Sequence, residues 1–360
     1  MAASIRVTRP LRATSILACA LALIVTGVGG ASAKDLLDPV AREGGAKVSA
    51  REQERTLRYW TAARMHKARP LPLVQGDRRR PAMGSAESTA GQPGYAEGTE
   101  PTRRAKPRRS GRIRPADAYP YPYPYTRFAL PNPLRRKFPY RAVGIIFGLM
   151  NGRLFSCTGA SVASPKRHLV WTAGHCVSDG AGGWVDALVF VPAYKNGNRP
   201  YGVFAAKSIL TTAGWHLEGN PGADYAVVSV GKNRNGKKLR KAVGALGFTW
   251  DQSRDLHWNV FGYPANGHFS GQRIQVCQAS HATDDLAFGA PEPMGIGCDQ
   301  QQGSSGGPWI YGLKRGNYIN SNVSYGYPDT QPEASYGPYL TAAANELRCL
   351  AGTGGSSTTC

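Results

Sequence analysis

From Tyr140 onward the chain is written in short apolar runs, each bounded by Gly, Pro, Asn or Asp, and this pattern points to β-structure. The runs are Ala142-Val143-Gly144-Ile145-Ile146-Phe147, Ala160-Ser161-Val162-Ala163, His168-Leu169-Val170-Trp171 and Ala187-Leu188-Val189-Phe190-Val191. Ala226-Val227-Val228-Ser229-Val230, Trp258-Asn259-Val260-Phe261-Gly262 and Trp309-Ile310-Tyr311 follow. Short strands separated by turn signals predict an all-β barrel or sandwich. One segment reads as a helix, at the end, where Tyr339, Leu340, Ala343 and Leu347 fall at i, i+1, i+4 and i+8. The 44 Gly and 26 Pro in 360 residues suit a loop-rich β domain better than a helical bundle.

The first 140 residues have a different texture. Arg6, Arg9 and Arg12 precede an apolar stretch from Ala13 to Val28, and Ala31-Ser32-Ala33 supplies small residues for cleavage. Residues 1–33 therefore read as a signal peptide cleaved near Ala33, and the protein is expected to be secreted and extracellular. The apolar stretch falls short of the roughly 20 residues that span a bilayer, so no stable membrane insertion is expected. Cys19 lies inside it rather than at its end, against a lipid anchor, and no Arg-Arg pair marks a twin-arginine route.

Residues 34–140 carry Arg78-Arg79-Arg80, Arg103-Arg104, Arg108-Arg109 and Arg135-Arg136-Lys137 around a Gly/Ser/Glu stretch and the alternation Tyr119-Pro120-Tyr121-Pro122-Tyr123-Pro124-Tyr125. A Tyr-Pro alternation has few amide donors and favours an extended path. The expectation is a basic pro-segment or linker, largely disordered, because it has too little apolar surface to offset the entropy of ordering. The exception is 48–67, where Val48, Leu57, Trp60 and Met65 can line a short amphipathic helix. The formal charge of +21 would by itself suggest a polyanion partner. Residues 34–140 contribute +13 of it and 141–360 only +5, so no specific nucleic-acid partner is expected.

Removing the signal removes Cys19 from the seven cysteines and leaves 157, 176, 277, 298, 349 and 360. An even set in an oxidising compartment reads as disulfides, with the pairing left open by sequence. Cys157, 19 residues before Cys176, is its natural partner. No C-x-x-C pair is present, so neither a metal nor a cofactor is expected.

Two stretches carry chemistry. In Gly303-Ser304-Ser305-Gly306-Gly307-Pro308, small residues let the backbone turn tightly around a serine, so that the amides of Gly303 and Ser305 converge. A serine hydroxyl needs such donors, and a base, to act as a nucleophile. In Trp171-Thr172-Ala173-Gly174-His175-Cys176 a histidine ends a β-like run beside a cysteine. The other histidines, at 66, 168, 216, 257, 268 and 281, have no such setting.

With T-A-G-H-C and G-S-S-G-G-P in this order, about residues 141–350 resemble the chymotrypsin-like serine peptidase family, most closely its bacterial, secreted glutamyl-endopeptidase-like branch. The resemblance implies two antiparallel six-stranded Greek-key β-barrels with a short C-terminal helix, in a domain spanning 141–360. The first barrel would take about 141–245 and the second about 246–348. It implies His175 as general base, Ser305 as nucleophile, and the Gly303 and Ser305 amides as oxyanion hole. The family's acid lies between them, just before a buried apolar strand. Among Asp179, Asp186, Asp224, Asp251, Asp255, Asp284, Asp285 and Asp299, Asp224 fits, with Tyr225-Ala226-Val227-Val228 behind it. Cys277–Cys298 and Cys349–Cys360 are the further expected bridges.

The animal members of the family carry Asp immediately before the nucleophile, where this chain has Ser304, which cannot pair with a freed N-terminal ammonium. Activation is therefore expected by removal of an obstructing leader. Asp299, six residues before Ser305, reads either as the pocket carboxylate of an Arg/Lys-specific enzyme or as a structural group beside Cys298. Ser324 and Gly326, in Asn322-Val323-Ser324-Tyr325-Gly326, read as pocket wall, and the absence of a histidine there disfavours glutamate preference.

The expected function is a serine endopeptidase, monomeric, acting on protein or peptide substrates. The alternative is a catalytically silent protein on the same fold that binds anionic polymers, with Lys232–Lys241, six basic residues and no acid, as its patch.

Overall fold

The computed structural model describes residues 37–41, 48–76, 91–99, 120–165 and 168–360. All lie in one compact unit, Ser32–Cys360. The expected signal peptide and the Arg78–Arg80, Arg103-Arg104 and Arg108-Arg109 clusters fall outside the described residues.

Six strands form the first barrel: β1 (Val143–Met150), β2 (Arg153–Val162), β3 (Leu169–Thr172), β4 (Asp186–Pro192), β5 (Phe204–Thr212) and β6 (Ala226–Val230). Pairing runs β1–β2–β3–β6–β5–β4 and back to β1, antiparallel throughout, so the six strands close on themselves. Placing β6 rather than β4 beside β3 is a Greek-key connection. Alternate residues of the apolar runs fill the inside, where Ile146, Val170, Phe190, Phe204 and Val228 are buried in one cluster.

The second sheet comprises β7 (His257–Gly262), β8 (Gln275–Asp284), β9 (Met294–Gly297), β10 (Pro308–Tyr311), β11 (Tyr318–Asn322), β12 (Tyr325–Tyr327) and β13 (Gln331–Gly337). Its antiparallel order is β12–β13–β9–β8–β7–β10–β11. Only Val323 and Ser324 separate β11 from β12, so the two ends of the path are one bent strand and the sheet wraps on itself. The fold is thus the two-barrel, all-β architecture. One apolar cluster crosses between the barrels, from Phe147 and Trp171 to Phe261 and Ile310.

The C-terminal helix is Ala342–Thr353. Its register begins later than the apolar spacing suggests: Tyr339 and Leu340 are buried in the extended approach, and Leu347 is the helical residue that packs inward. The bridges Cys157–Cys176, Cys277–Cys298 and Cys349–Cys360 are all formed.

The leader departs from expectation. Its described parts are packed on both barrels rather than disordered. Helices α1 (Ala50–Tyr59) and α2 (Ala62–Lys67) replace the single helix expected over 48–67. Ser49 caps α1 by accepting from the Glu52 amide, and Thr61 caps α2 by accepting from that of Arg64. Leu57, Trp60 and Met65 are buried. Trp60 packs 5.4 Å from Phe147, and its indole N–H donates to the Ala187 carbonyl at 2.6 Å. Burying such a side chain is worth about 1.5–3 kcal/mol, so a few anchors on a preformed barrel hold a segment too polar to form its own core.

Leader strands extend both sheets. Pro39–Ala41 pairs with β5, Thr126–Ala129 with β8, and Gly94–Ala96 with Gly247–Trp250, which itself runs parallel to β11. The Tyr-Pro repeat runs beside β13: Tyr123 is buried and its hydroxyl accepts from Gln331, while that of Tyr121 accepts from the Glu333 amide.

Candidate active site

The Cys157–Cys176 bridge ties the turn after β3 to β2 and so fixes the single 3-10 turn, Gly174–Cys176, that carries His175. Asp224 ends another short turn, Pro221–Ala223, immediately before β6. Because β6 pairs with β3, the two side chains meet. The His175 amide donates to Asp224 Oδ1 at 2.8 Å, and His175 Nδ1 lies 2.7 Å from Asp224 Oδ2. Asp224 is fully buried, and burial of a carboxylate is tolerated only where donors surround it. The third donor is the Ser324 hydroxyl, 2.5 Å from Oδ2.

Ser324 is expected in the pocket wall, but its hydroxyl is taken up by Asp224, so only its backbone is left for that role. The β11–β12 bend turns its hydroxyl onto Asp224. Asn322, unremarked in the sequence, supports the same corner. Its amide donates to the Asp224 carbonyl at 3.1 Å, and its Oδ1 accepts from the Trp171 indole at 3.0 Å. The sequence signal was weak, since Asn320 and Ser321 make the same strand polar before Asn322 is reached.

Ser305 lies in the tight turn before β10. Its carbonyl accepts from the Thr158 amide at 2.8 Å, and the next amide, Gly306, donates to the Val323 carbonyl at 2.7 Å. The Ser305 loop is thereby bound to β2 and to the β11–β12 bend together. Two glycines make the turn possible. Gly303 has φ +87°, and a Cβ there would lie 2.5 Å from the Tyr263 carbonyl oxygen. Gly306 has φ +77°, and a Cβ there would meet Thr172 Oγ1 at 2.0 Å. Among the described residues the amides of Gly303 and Ser305 take part in no hydrogen bond, so they are available to an oxyanion. His175 Nε2 and Ser305 Oγ are likewise buried without a hydrogen-bond partner. Ser304 is also buried, its hydroxyl beside Gln300 Oε1 against Gly262.

Asp299 stands apart from this group. Its carboxylate pairs with Arg127 at 2.9 Å, on the leader strand Thr126–Ala129, and its Oδ1 faces the Cys277 sulfur. Burial raises the Asp299 pKa and the Arg127 guanidinium opposes that shift. The charge is thus engaged by the leader rather than left open to a substrate, which favours the structural reading of this residue. Gly326, by contrast, faces the leader's Leu73: a Cβ on Gly326 would lie 2.9 Å from Leu73 Cδ2.

Among the described residues, two groups of His, Cys, Asp or Glu stand close enough to hold a metal ion. Both are built on disulfide-bonded cysteines, Cys157 and Cys176 with His175, and Cys277 and Cys298 with Asp299, and bonded sulfurs are no thiolate ligands.

No protein-family model matches the chain, nor does any curated protein. Solved structures do. A thermostable serine protease, AL20, from an extremophilic microorganism is 35% identical with TM-score 0.55, covering 59% of this chain and 97% of its own. The protease Anisep from Arthrobacter nicotinovorans is 34% identical with TM-score 0.55, covering 62% of this chain and 99% of its own. With this identity over nearly the whole of both enzymes, on two closed β-barrels, the chain belongs to the chymotrypsin-like serine protease family.

Proposed function

We propose that this protein is a secreted serine endopeptidase that cleaves peptide bonds through a Ser305–His175–Asp224 triad and an acyl-enzyme intermediate. The observation that carries the reading is the fully buried Asp224 with three donors on its carboxylate, two of them from His175. That arrangement keeps the imidazole proton on Nδ1 and turns Nε2 into the acceptor.

In the first step Nε2 takes the Ser305 hydroxyl proton as Oγ attacks the substrate carbonyl carbon. The oxygen gains negative charge and is met by the Gly303 and Ser305 amides. His175 then gives the proton to the departing amine, and the C–N bond breaks to leave the acyl ester on Ser305. Water, deprotonated by the same Nε2, hydrolyses that ester and restores the serine. Asp224 stays ionised and stabilises the imidazolium in both halves.

The residue before the cleaved bond lies against Ser324–Gly326. With Asp299 paired to Arg127, preference for Arg or Lys is not built in while Thr126–Ala129 remains docked. The reading keeps the glutamyl-endopeptidase-like branch suggested by the sequence motifs, without its glutamate preference. Secretion, as a monomer, after removal of residues 1–33 and release of the leader completes the reading. Among the described residues no helix is long and apolar enough to cross a membrane.

The exposed basic residues 232, 234, 237, 238, 240 and 241 support a second reading, polymer binding without catalysis. Ser305→Ala separates the two: loss of all peptide cleavage supports the peptidase. Cleavage equal to wild type refutes the triad. Salt-dependent retention on a polyanion, with no Ser305-dependent cleavage, supports the alternative.

A further inference from the structure

One stretch of the leader, Arg69–Gly76, bridges the two walls of the candidate site. Arg69–Pro70 pairs with Phe155–Ser156 of β2, and the Leu71 amide donates to the Ser156 carbonyl at 3.2 Å. Four residues on, Val74–Gln75 pairs with Tyr325–Gly326 of β12, and the Gly76 amide donates to the Gly326 carbonyl at 3.1 Å. Pro72 and Leu73 therefore span the gap between β2 and β12. Ser305 is hydrogen-bonded on both sides of that gap, through Thr158 and through Gly306 to Val323. Pro70 comes close to Gly303, and Leu73 is buried against Gly326. Leu71 packs on the first-barrel core and Val74 on the Tyr325–Tyr327 cluster. Pro70 and Pro72 hold the backbone extended and withhold two amide donors.

The direction of this segment matters as much as its place. In the reading of Ser324–Gly326 as the wall for the residue before the cleaved bond, the N-terminal part of a substrate lies on β12. Its C-terminal part then leaves over β2. Arg69–Gly76 runs the other way, entering on β2 and leaving on β12, and both of its pairings are parallel. Reversal exchanges the order of carbonyl and amide nitrogen along the cleft. Among the described residues no strap carbonyl is bonded to the Gly303 or Ser305 amide, and one that reached them would have its amide nitrogen on the β12 side, away from the path by which His175 protonates a departing amine.

We propose that Arg69–Gly76 is a reversed-polarity inhibitory strap, a peptide that fills the cleft by backbone pairing and is not itself cut there. This deepens the peptidase reading and rests on it. Activation then consists of releasing the strap from both walls by cleavage elsewhere in the leader.

The test uses the full-length chain and a fluorophosphonate, which phosphonylates an activated serine oxygen with loss of fluoride. Leu71→Asp/Leu73→Asp replaces the two inward leucines with charges that resist burial. The uncut variant should label at least about tenfold faster than the uncut wild type, as expected when the closed population is depleted. Equal labelling of the two uncut proteins overturns the strap. Should the variant not fold, mass spectrometry of fragments from maturing wild type decides. First cuts outside Arg69–Gly76 support the proposal, and first cuts between Leu71 and Val74 overturn it. Labelling that persists in Ser305→Ala, or is missing from wild type at every stage, overturns the peptidase reading itself and the strap with it.

Discussion

Replacing Asp224 by Asn removes one negative charge and, by the hydrogen bonds around it, should reverse the tautomer of His175. Oδ1 accepts from the His175 backbone amide, while Oδ2 accepts from Nδ1 and from the Ser324 hydroxyl. The backbone amide can only donate, and setting an NH2 group against it leaves a buried donor unpaired at about 1–3 kcal/mol. The Ser324 hydroxyl can rotate to accept, and a neutral Nδ1 can accept by giving up its proton. Asn therefore turns its oxygen to the backbone amide and its NH2 to Nδ1. The imidazole proton then sits on Nε2, which can no longer receive the serine proton. The expected loss is about 10⁴-fold in kcat, by the precedent of such a tautomer switch, or about 5.5 kcal/mol at the barrier. The assay is steady-state hydrolysis of a peptide substrate by processed wild type and Asp224→Asn protein, with circular dichroism to establish that both are folded. Activity within tenfold of wild type at neutral pH would refute the reasoning.

Three further expectations test the supporting structure. Gly303→Ala should abolish turnover with the chain still folded, because the Cβ meets the Tyr263 carbonyl and displaces an oxyanion amide; unchanged kcat counts against that role. Burial alone would raise the Asp284 pKa, yet the hydrogen bond from His281 and the nearby Arg254 guanidinium hold it below the ordinary carboxylate value of 3.8. Its stabilisation is therefore present above about pH 4 and lost as pH falls through the depressed folded value. In denaturant melts, Asp284→Asn should cost on the order of 1–3 kcal/mol at pH 7 and progressively less toward pH 3. Removing the Cys349–Cys360 bridge by paired Ser substitutions releases a loop of separation 11. It should lower stability by about 2–3 kcal/mol without affecting kcat, as read by chemical denaturation and peptide hydrolysis.

Much of the two-barrel core was legible because its strands are apolar on both neighbours' sides, as in β1, β3, β4 and β6. Strands β5 and β8 were not. Phe204–Thr212 and Gln275–Asp284 mix Lys207, Ser208, Gln278 and Ser280 among their apolar residues, and pairing on both sides rather than composition makes them strands. The glycine-bounded Ser305 turn and the His175-Cys176 pair stood out because tight turns and a bridge demand particular residues locally. Ser324 did not, since spacing along a strand cannot tell whether a hydroxyl meets a pocket or a carboxylate forty-nine residues beyond the histidine. Asp299 was ambiguous for the same reason: its partner Arg127 is 172 residues away in sequence. The leader was misread as mostly unpacked because its own apolar content is low. Leu57, Trp60, Met65 and Leu73 bury themselves on barrels that other residues build.

The most direct test of the account is hydrolysis of a peptide library, varied at the residue before the cleaved bond, by the processed protein beside its Ser305→Ala counterpart. The account predicts cleavage that disappears with Ser305→Ala and a preference insensitive to Asp299→Asn. No Ser305-dependent cleavage from a folded, fully processed protein would contradict it.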